Sequence, residues 1–250
     1  MTQRKRAEEM TYAEITAMID FAILEPAWTE GTVAGYVRQA VAYECALAAM
    51  NPAPLDLTAE ICRGSRTRVG VSCDFPFGQG TPEARLLEAE CYCRTGKVDE
   101  LDFVARIWQI TSHNYDAVTD DMRAIADVCR EHGVTSKVII ETDALTLDEV
   151  RRATVCAADA GVDFVKTSTG YLKSDHRVGP TPEVIRTMIE AAEGRIKVKA
   201  SSVIRDKAKV IELVNLGVDR MGIGCTSVPA VLGVTPERYR EVRDEPFGSA

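Results

Sequence analysis

The chain has 250 residues, of which 46% are hydrophobic and 27% are charged, and its net charge is −8 at pH 7. No stretch has the roughly 18 uncharged apolar residues that a membrane span needs, and the charged start MTQRKRAEEM lacks the apolar region of a secretory signal. The acidic balance argues against nucleic-acid binding, which needs a basic surface for phosphates. We therefore expect a cytoplasmic globular protein that binds neither membrane nor nucleic acid.

Cysteine and histidine patterns give no sign of a disulfide scaffold or a metal site. The eight cysteines include no CxxC pair and are sparse for a chain of this length, so reduced thiols are expected. The three histidines lack HxH or HExxH spacing, so no metal site is predicted from them. His176, in the charged loop 173–177, is expected to be solvated or near a substrate.

Short apolar runs alternate with longer segments of helical spacing along the whole chain. The predicted strands are Ile19–Leu24, Ala46–Met50, Arg68–Cys73, Glu100–Arg106, Lys137–Glu141, Asp163–Lys166, Lys197–Ala200 and Arg220–Gly222. Helix starts are predicted at the two Thr-Pro-Glu sequences, 81–83 and 181–183, and at Thr146, where Glu149 completes a capping box.

Strands that alternate with helices indicate parallel βαβ units, and eight units in about 250 residues match a (β/α)8 TIM barrel. A doubly wound open sheet is the competing α/β fold, but residues 24–29 after the first strand contain no GxGxxG turn. We predict a single barrel domain over residues 1–250, with about 1–10 and 240–250 as peripheral tails. Functional groups are then expected where the strands end.

Two lysines lie near the ends of consecutive predicted strands. Lys166 ends the sixth strand in the sequence DFVKTSTG, and Lys199 lies near the end of the seventh in IKVKAS. Adjacent parallel strands are about 4.8 Å apart, so the two ammonium groups share one cavity if both side chains point inward. The alternative is that both are surface lysines with extended side chains.

Two inward lysines would support nucleophilic catalysis. Burial and a neighbouring cation both lower the pKa of an amine, which can then condense with a carbonyl as a Schiff base. The fourth strand supplies a carboxylate, because the two-residue period puts Asp102 on one face with Val104 and Arg106. Asp102 could instead only pair with Arg106.

Several segments resemble the deoxyribose-phosphate aldolase family of class I aldolases. The specific ones are Lys137–Thr142 (KVIIET), Ala160–Gly170 (AGVDFVKTSTG) and Val198–Ser201 (VKAS), and the resemblance extends from about residue 15 to 225. It implies a TIM barrel that cleaves 2-deoxyribose 5-phosphate reversibly into acetaldehyde and glyceraldehyde 3-phosphate without a cofactor. Family members of this kind are often dimers, so the resemblance also implies a homodimer.

The resemblance also implies roles for individual residues. Lys166 would form the Schiff base, Lys199 would tune its pKa or assist proton transfer, and Asp102 would join a proton relay. Asp20 would lie beside this group, and we include it among the substrate-binding residues. The other predicted substrate-binding residues are Thr169, Gly170, Ser201, Ser202 and Arg106.

Departures from the family pattern concentrate at the expected phosphate pocket. The usual Gly-Gly-Ile-Arg after VKAS is here Ser202-Val203-Ile204-Arg205, and Gly222–Ser227 (GIGCTS) stands where relatives have Gly-Thr-Ser-Ser. A side chain at position 203 would obstruct or reshape an approach of phosphate to the backbone. Arg106 replaces the usual asparagine and either grips an anion or pairs with Asp102 or Glu141.

Other functions stay open on the sequence. The acceptor aldehyde could be non-phosphorylated or bear a carboxylate. The chain could also be a barrel isomerase or lyase that uses no Schiff base, or an inactive relative that only binds a ligand.

Overall fold

Eight parallel strands close into a barrel in the order β1 to β8. The computed structural model describes residues 4–172 and 178–248. The strands are β1 Ile19–Ile23, β2 Leu47–Met50, β3 Arg68–Cys73, β4 Glu100–Val104, β5 Thr135–Ile139, β6 Phe164–Lys166, β7 Lys197–Ser201 and β8 Arg220–Gly224. The predicted (β/α)8 barrel is therefore confirmed.

Helices connect the strands and surround the barrel. They are α1 Tyr12–Thr16, α2 Glu30–Ala42, α3 Leu55–Cys62, α4 Pro82–Cys93, α5 Ile107–Thr111, α6 Tyr115–Glu131, α7 Leu147–Ala160, α8 Pro182–Ala192, α9 Lys207–Leu216, α10 Val228–Leu232 and α11 Pro236–Val242. The predicted starts of α4, α7 and α8 are confirmed, because Thr81, Thr146 and Thr181 each accept a backbone hydrogen bond as the N-cap.

The two faces of the strands differ in chemistry. Outward residues such as Val138, Val165 and Val198 are buried and belong to the apolar core between barrel and helices. Inward residues include charged side chains on β1, β4 and β7, whose ion pairs join strands that are not neighbours in the sheet. The interior of the barrel is therefore polar, and it can hold reactive groups away from water.

The fourth strand is shorter than predicted. It ends at Val104, and Arg106 is already the N-cap residue of α5, with φ −73° and ψ 80°. The two-residue alternation that predicts Arg106 on the face of Asp102 stops with the strand. The fifth strand also differs, since it begins at Thr135 and ends at Ile139.

The two ends of the described chain pack together on the barrel. Thr11 pairs with Pro246 in an antiparallel bridge, and the Tyr12 and Phe247 rings meet edge to face with centroids 5.1 Å apart. Ala7 and Phe247 are fully buried. These residues belong to the packed domain, which corrects the expectation of peripheral tails for their segments.

No helix in the described part of the chain is long and apolar enough to cross a membrane.

Candidate active site

Three lysines converge on one carboxylate inside the barrel. Lys166 and Lys199 are paired in register across β6 and β7, and Asp102 is paired with Lys137 across β4 and β5. Asp102 Oδ2 accepts hydrogen bonds from Lys166 Nζ at 2.9 Å and from Lys199 Nζ at 2.6 Å. Its Oδ1 accepts from Lys137 Nζ at 3.0 Å. Both predicted lysines thus point inward, toward the same acid.

A second layer of charge lies below this group, toward the start of the strands. Asp20 Oδ2 lies 2.5 Å from Lys199 Nζ and 3.3 Å from Lys137 Nζ, and its other oxygen pairs with Arg220. Glu100 pairs with both Lys137 and Arg220. Within the described residues, this interior network has four basic side chains and three acidic ones. Full ionisation would leave an excess positive charge, which favours loss of a proton from one lysine.

The pKa of Lys199 shows the effect of this excess positive charge. Burial and the neighbouring ammonium groups of Lys166 and Lys137 outweigh the attraction of Asp102 and Asp20, so the pKa of Lys199 falls to about 8. Burial also acts on Lys137, but there the three surrounding carboxylates outweigh it and raise its pKa. Lys199 is therefore the group that can exchange a proton near neutral pH, whereas Lys137 stays charged.

Asp102 and Asp20 stay ionised. Burial alone would raise the pKa of Asp102, but the charges of Lys137, Lys166 and Lys199 hold it well below its ordinary value. The pKa of Asp20 is likewise lowered, since Lys137, Lys199 and Arg220 outweigh its burial. Two permanent negative charges thus hold the lysines in place.

A cavity of about 520 Å³ opens above the network at the carboxyl ends of the strands. Lys166 lines this cavity and is 6% exposed, whereas Lys199 and Lys137 are 1% and 0% exposed and lie beneath it. A molecule in the cavity therefore reaches the amine of Lys166 and not those of its two neighbours.

Glycine on β8 makes room for the lysines. A Cβ on Gly222 would lie 3.0 Å from Ser201 Cβ and 3.4 Å from Lys199 Cε. Because both contacts are tight, a side chain here would displace Lys199 or β7. A Cβ on Gly224, two residues further along the same strand, would meet nothing within 4 Å.

Four of the predicted substrate-binding residues, Thr169, Gly170, Ser201 and Ser202, line the cavity. Glu141 fixes the position of Thr169, since the backbone N–H and the hydroxyl of Thr169 both donate to the Glu141 carboxylate. The hydroxyl of Ser201 donates to the Ser168 carbonyl at 2.5 Å. The hydroxyls of Thr169 and Ser201 thus fix the loops after β6 and β7.

The loop after β7 keeps a backbone shape suited to glycine without containing one. Ser202 and Val203 have φ values of 74° and 52°, in the left-handed region that a β-branched residue such as valine rarely adopts. Gly179 packs against this loop, where a Cβ would lie 3.0 Å from the Ser202 carbonyl oxygen. The side chain of Val203 is 37% exposed and lines the cavity. The loop therefore has two consecutive residues in the left-handed region, and the side chain of Val203 forms part of the cavity wall.

Two predicted substrate-binding residues lie elsewhere. Asp20 is fully buried among Lys137, Lys199 and Arg220 and does not line the cavity, so we correct its role to one that positions the lysines. The guanidinium of Arg106 lies over the Trp108 ring, 5.0 Å from its centroid, because Arg106 is beyond the end of β4. It neither lines the cavity nor pairs with Asp102 or Glu141. His176 lies outside the described residues.

Several charged residues of the site were not predicted. Lys137 precedes the apolar run 138–140 and Arg220 precedes Met221, and a basic residue beside a buried strand segment is the signal that could have found them. Glu100 was recognised only as the first residue of a predicted strand. Arg205 lines the cavity, is exposed and forms no ion pair within residues 4–172 and 178–248. Its place directly after the loop that follows β7 could have marked it as an anion ligand.

No protein-family model matches the chain. A deoxyribose-phosphate aldolase of Clostridium perfringens strain SM101 is 34% identical over 213 residues, which cover 85% of this chain and 92% of that protein. The solved structure of QR15, an aldolase, superposes with a TM-score of 0.80 at 29% identity, covering 91% of this chain and 96% of that one. The tetrameric deoxyribose phosphate aldolase of Aeropyrum pernix has a TM-score of 0.78 at 25% identity, with 92% of each chain covered. The chain belongs to the deoxyribose-phosphate aldolase family of aldehyde-lyases.

Proposed function

We propose that the protein is a class I aldolase in which Lys166 forms a Schiff base with a small aldehyde donor. The reaction is the reversible cleavage of 2-deoxy-D-ribose 5-phosphate into acetaldehyde and D-glyceraldehyde 3-phosphate. One observation carries the proposal. Of the three lysines bound to Asp102, Lys166 is the one that lines the cavity.

The chemistry of cleavage begins at the open-chain sugar. The amine of Lys166 gives a proton to Lys199 and adds to the C1 aldehyde; loss of water, with that proton returned, gives a protonated imine. A base removes the proton of the C3 hydroxyl, the C2–C3 bond breaks, and C3 becomes the aldehyde carbon of glyceraldehyde 3-phosphate. The electron pair of the broken bond forms the enamine. Protonation at C2 and addition of water release acetaldehyde and regenerate the amine.

The neighbouring charges supply the proton transfers. Lys199 lies beside Lys166 on the same carboxylate oxygen of Asp102, and its pKa of about 8 lets it accept and return a proton near neutral pH. Asp102 accepts hydrogen bonds from both amines and holds them side by side, so a proton can move between them directly or through water. Lys137 and Arg220 hold the acids ionised, and they act by position and not by contact with substrate.

The phosphate of the substrate would bind at the edge of the cavity near Arg205. This guanidinium is free of protein partners within the described residues, and it lines the cavity with the hydroxyl residues Ser202, Thr226 and Ser227. Arginine suits a phosphate because its N–H groups can donate to two oxygens at once. Ser202 and Val203 have the left-handed backbone that glycine adopts most readily, at the two positions where the family sequence usually has glycines.

A non-phosphorylated acceptor is the second candidate, and the side chain of Val203 favours it. This side chain occupies space in the cavity beside Ser202 and Arg205. A carboxylate of Glu25 also lines the cavity and would repel a dianion. Side-by-side rates with glyceraldehyde 3-phosphate and plain glyceraldehyde decide between the two acceptors.

An assay of cleavage tests the proposed function. The purified protein is incubated with 2-deoxyribose 5-phosphate, and acetaldehyde release is followed with a coupled dehydrogenase. We expect turnover by the native protein and none by Lys166→Met, whose fold is checked by circular dichroism. An exposed residue of the outer helix layer, Arg186, provides a control, and Arg186→Met should keep full activity. Undiminished turnover by Lys166→Met would overturn the mechanism.

The homodimer that the family resemblance implies stays a prediction.

A further inference from the structure

A second charged cavity lies at the opposite mouth of the barrel, where the strands begin. It has a volume of about 290 Å³ and is lined by residues at the starts of β3, β5, β6, β7 and β8. Its basic side chains are Arg68, Lys197 and Arg220. This mouth is separated from the proposed reaction site by the buried charges of the barrel interior.

The basic side chains here have hydrogen-bonding capacity that the protein does not use. Arg220 is only 6% exposed, and its Nε–H has no hydrogen-bond partner within the described residues. The ammonium of Lys197 lies 5.2 Å from the centroid of the Phe164 ring and pairs with no carboxylate in residues 4–172 and 178–248. A buried donor without a partner is unfavourable, so an acceptor that enters this cavity gains a contact at Arg220.

Two carboxylates also line the cavity, but both are engaged by the protein. Asp163 Oδ2 accepts hydrogen bonds from the backbone N–H of Ser136 at 2.8 Å and from its hydroxyl at 2.9 Å. Asp219 Oδ2 accepts from the Val198 N–H at 2.8 Å, and its Oδ1 lies 3.6 Å from Arg4 Nη1. These acids fix the starts of β5 and β7. Arg68 and Arg220 already pair with carboxylates of the barrel interior, so Lys197 is the one basic side chain of this cavity with no anionic partner in the described residues.

We propose that this mouth binds a small oxyanion, such as inorganic phosphate or the phosphate end of a monoester. Lys197 and Arg220 would donate to it, and the hydroxyl of Thr135, which also lines the cavity, would complete the contact. Arg68 adds a positive charge at the rim, although it is shared with Glu100. The cavity volume admits one phosphate with bound water. The proposal concerns binding alone and does not depend on the aldolase chemistry.

Calorimetric titration with inorganic phosphate tests this site. The Arg205→Met background removes the anion contact of the upper cavity, so the remaining binding reports on the lower one. In that background we expect one bound phosphate per chain. Adding Lys197→Met should weaken the affinity at least about tenfold, since it removes a charged hydrogen bond. Adding Arg186→Met, a charge-matched change on the exposed surface of α8, should leave the affinity unchanged.

Acetylation of lysines gives a second readout that needs no substitution. Phosphate should slow the acetylation of Lys197, measured by mass spectrometry, relative to chloride at equal ionic strength. Lys209 on α9 serves as the internal reference. The proposal is overturned if Arg205→Met binds no phosphate, if Lys197→Met and Arg186→Met have equal affinities in that background, or if phosphate leaves Lys197 as reactive as before.

Discussion

Replacing Asp102 with asparagine removes the carboxylate that three buried ammonium groups share. In the native protein this carboxylate accepts hydrogen bonds from Lys166, Lys199 and Lys137, at 2.9, 2.6 and 3.0 Å. Breaking a buried ion pair by removing one partner costs about 3–5 kcal/mol, and three cations depend on this acid. We therefore expect Asp102→Asn to lower the free energy of unfolding by about 5 kcal/mol at pH 7. For a chain of this length, that corresponds to a melting temperature lower by about 10–20 °C.

Urea unfolding followed by circular dichroism measures the effect. The loss should shrink in part toward pH 10, because Lys199, with its pKa of about 8, has then lost its proton and no longer requires a carboxylate. Asp56→Asn is the control, since the side chain of Asp56 is 84% exposed and pairs with Lys97 at the surface. That variant should stay within about 0.5 kcal/mol of the native protein. If Asp102→Asn is as stable as Asp56→Asn at pH 7, the proposed convergence of the lysines on Asp102 is wrong.

Three other substitutions test separate parts of the site. Lys199 has a pKa of about 8 against 10.5 for an ordinary lysine, so the folded chain binds fewer protons between those values, and the free energy of unfolding rises with pH there. Lys199→Met should lack this rise, which amounts to at most about 3 kcal/mol in the free energy of unfolding measured by urea titration. If the free energies of the variant and the native protein depend on pH in the same way, the lowered pKa of Lys199 is wrong. Val203→Gly should raise the free energy of unfolding by about 1 kcal/mol, because glycine adopts the left-handed conformation without the strain of valine. The same change should lower KM for glyceraldehyde 3-phosphate. An unchanged KM would argue that the Val203 side chain does not obstruct the phosphate. Gly222→Ala should lower kcat about tenfold or more, because the added Cβ displaces Lys199. Gly224→Ala is the control and should have little effect on kcat. Equal kcat values for the two variants would contradict the displacement of Lys199.

Much of the fold could be predicted because its signals are local. Apolar runs mark all eight strands, and threonine caps mark the starts of helices such as α7, where Thr146 and Glu149 form the predicted capping box. The register of neighbouring strands then brings Lys166 and Lys199 together, as the two-strand argument predicts.

The rest of the site depends on features that one segment does not reveal. The end of β4 at Val104 sends Arg106 away from the cavity, and the pattern of the strand alone did not mark that end. Lys137 and Arg220 are buried only because carboxylates on other strands compensate their charge. The left-handed conformation of Val203 also contradicts the local preference of valine, so only the folded loop discloses it.

Reductive trapping tests most directly whether Lys166 is the nucleophile. The protein is incubated with acetaldehyde and borohydride, digested, and mapped by mass spectrometry. We predict a single N-ethyl group on the peptide that carries Lys166 and none on Lys166→Met. An adduct on Lys199 or Lys137, or turnover by the native protein with no adduct at all, would contradict the Schiff-base mechanism.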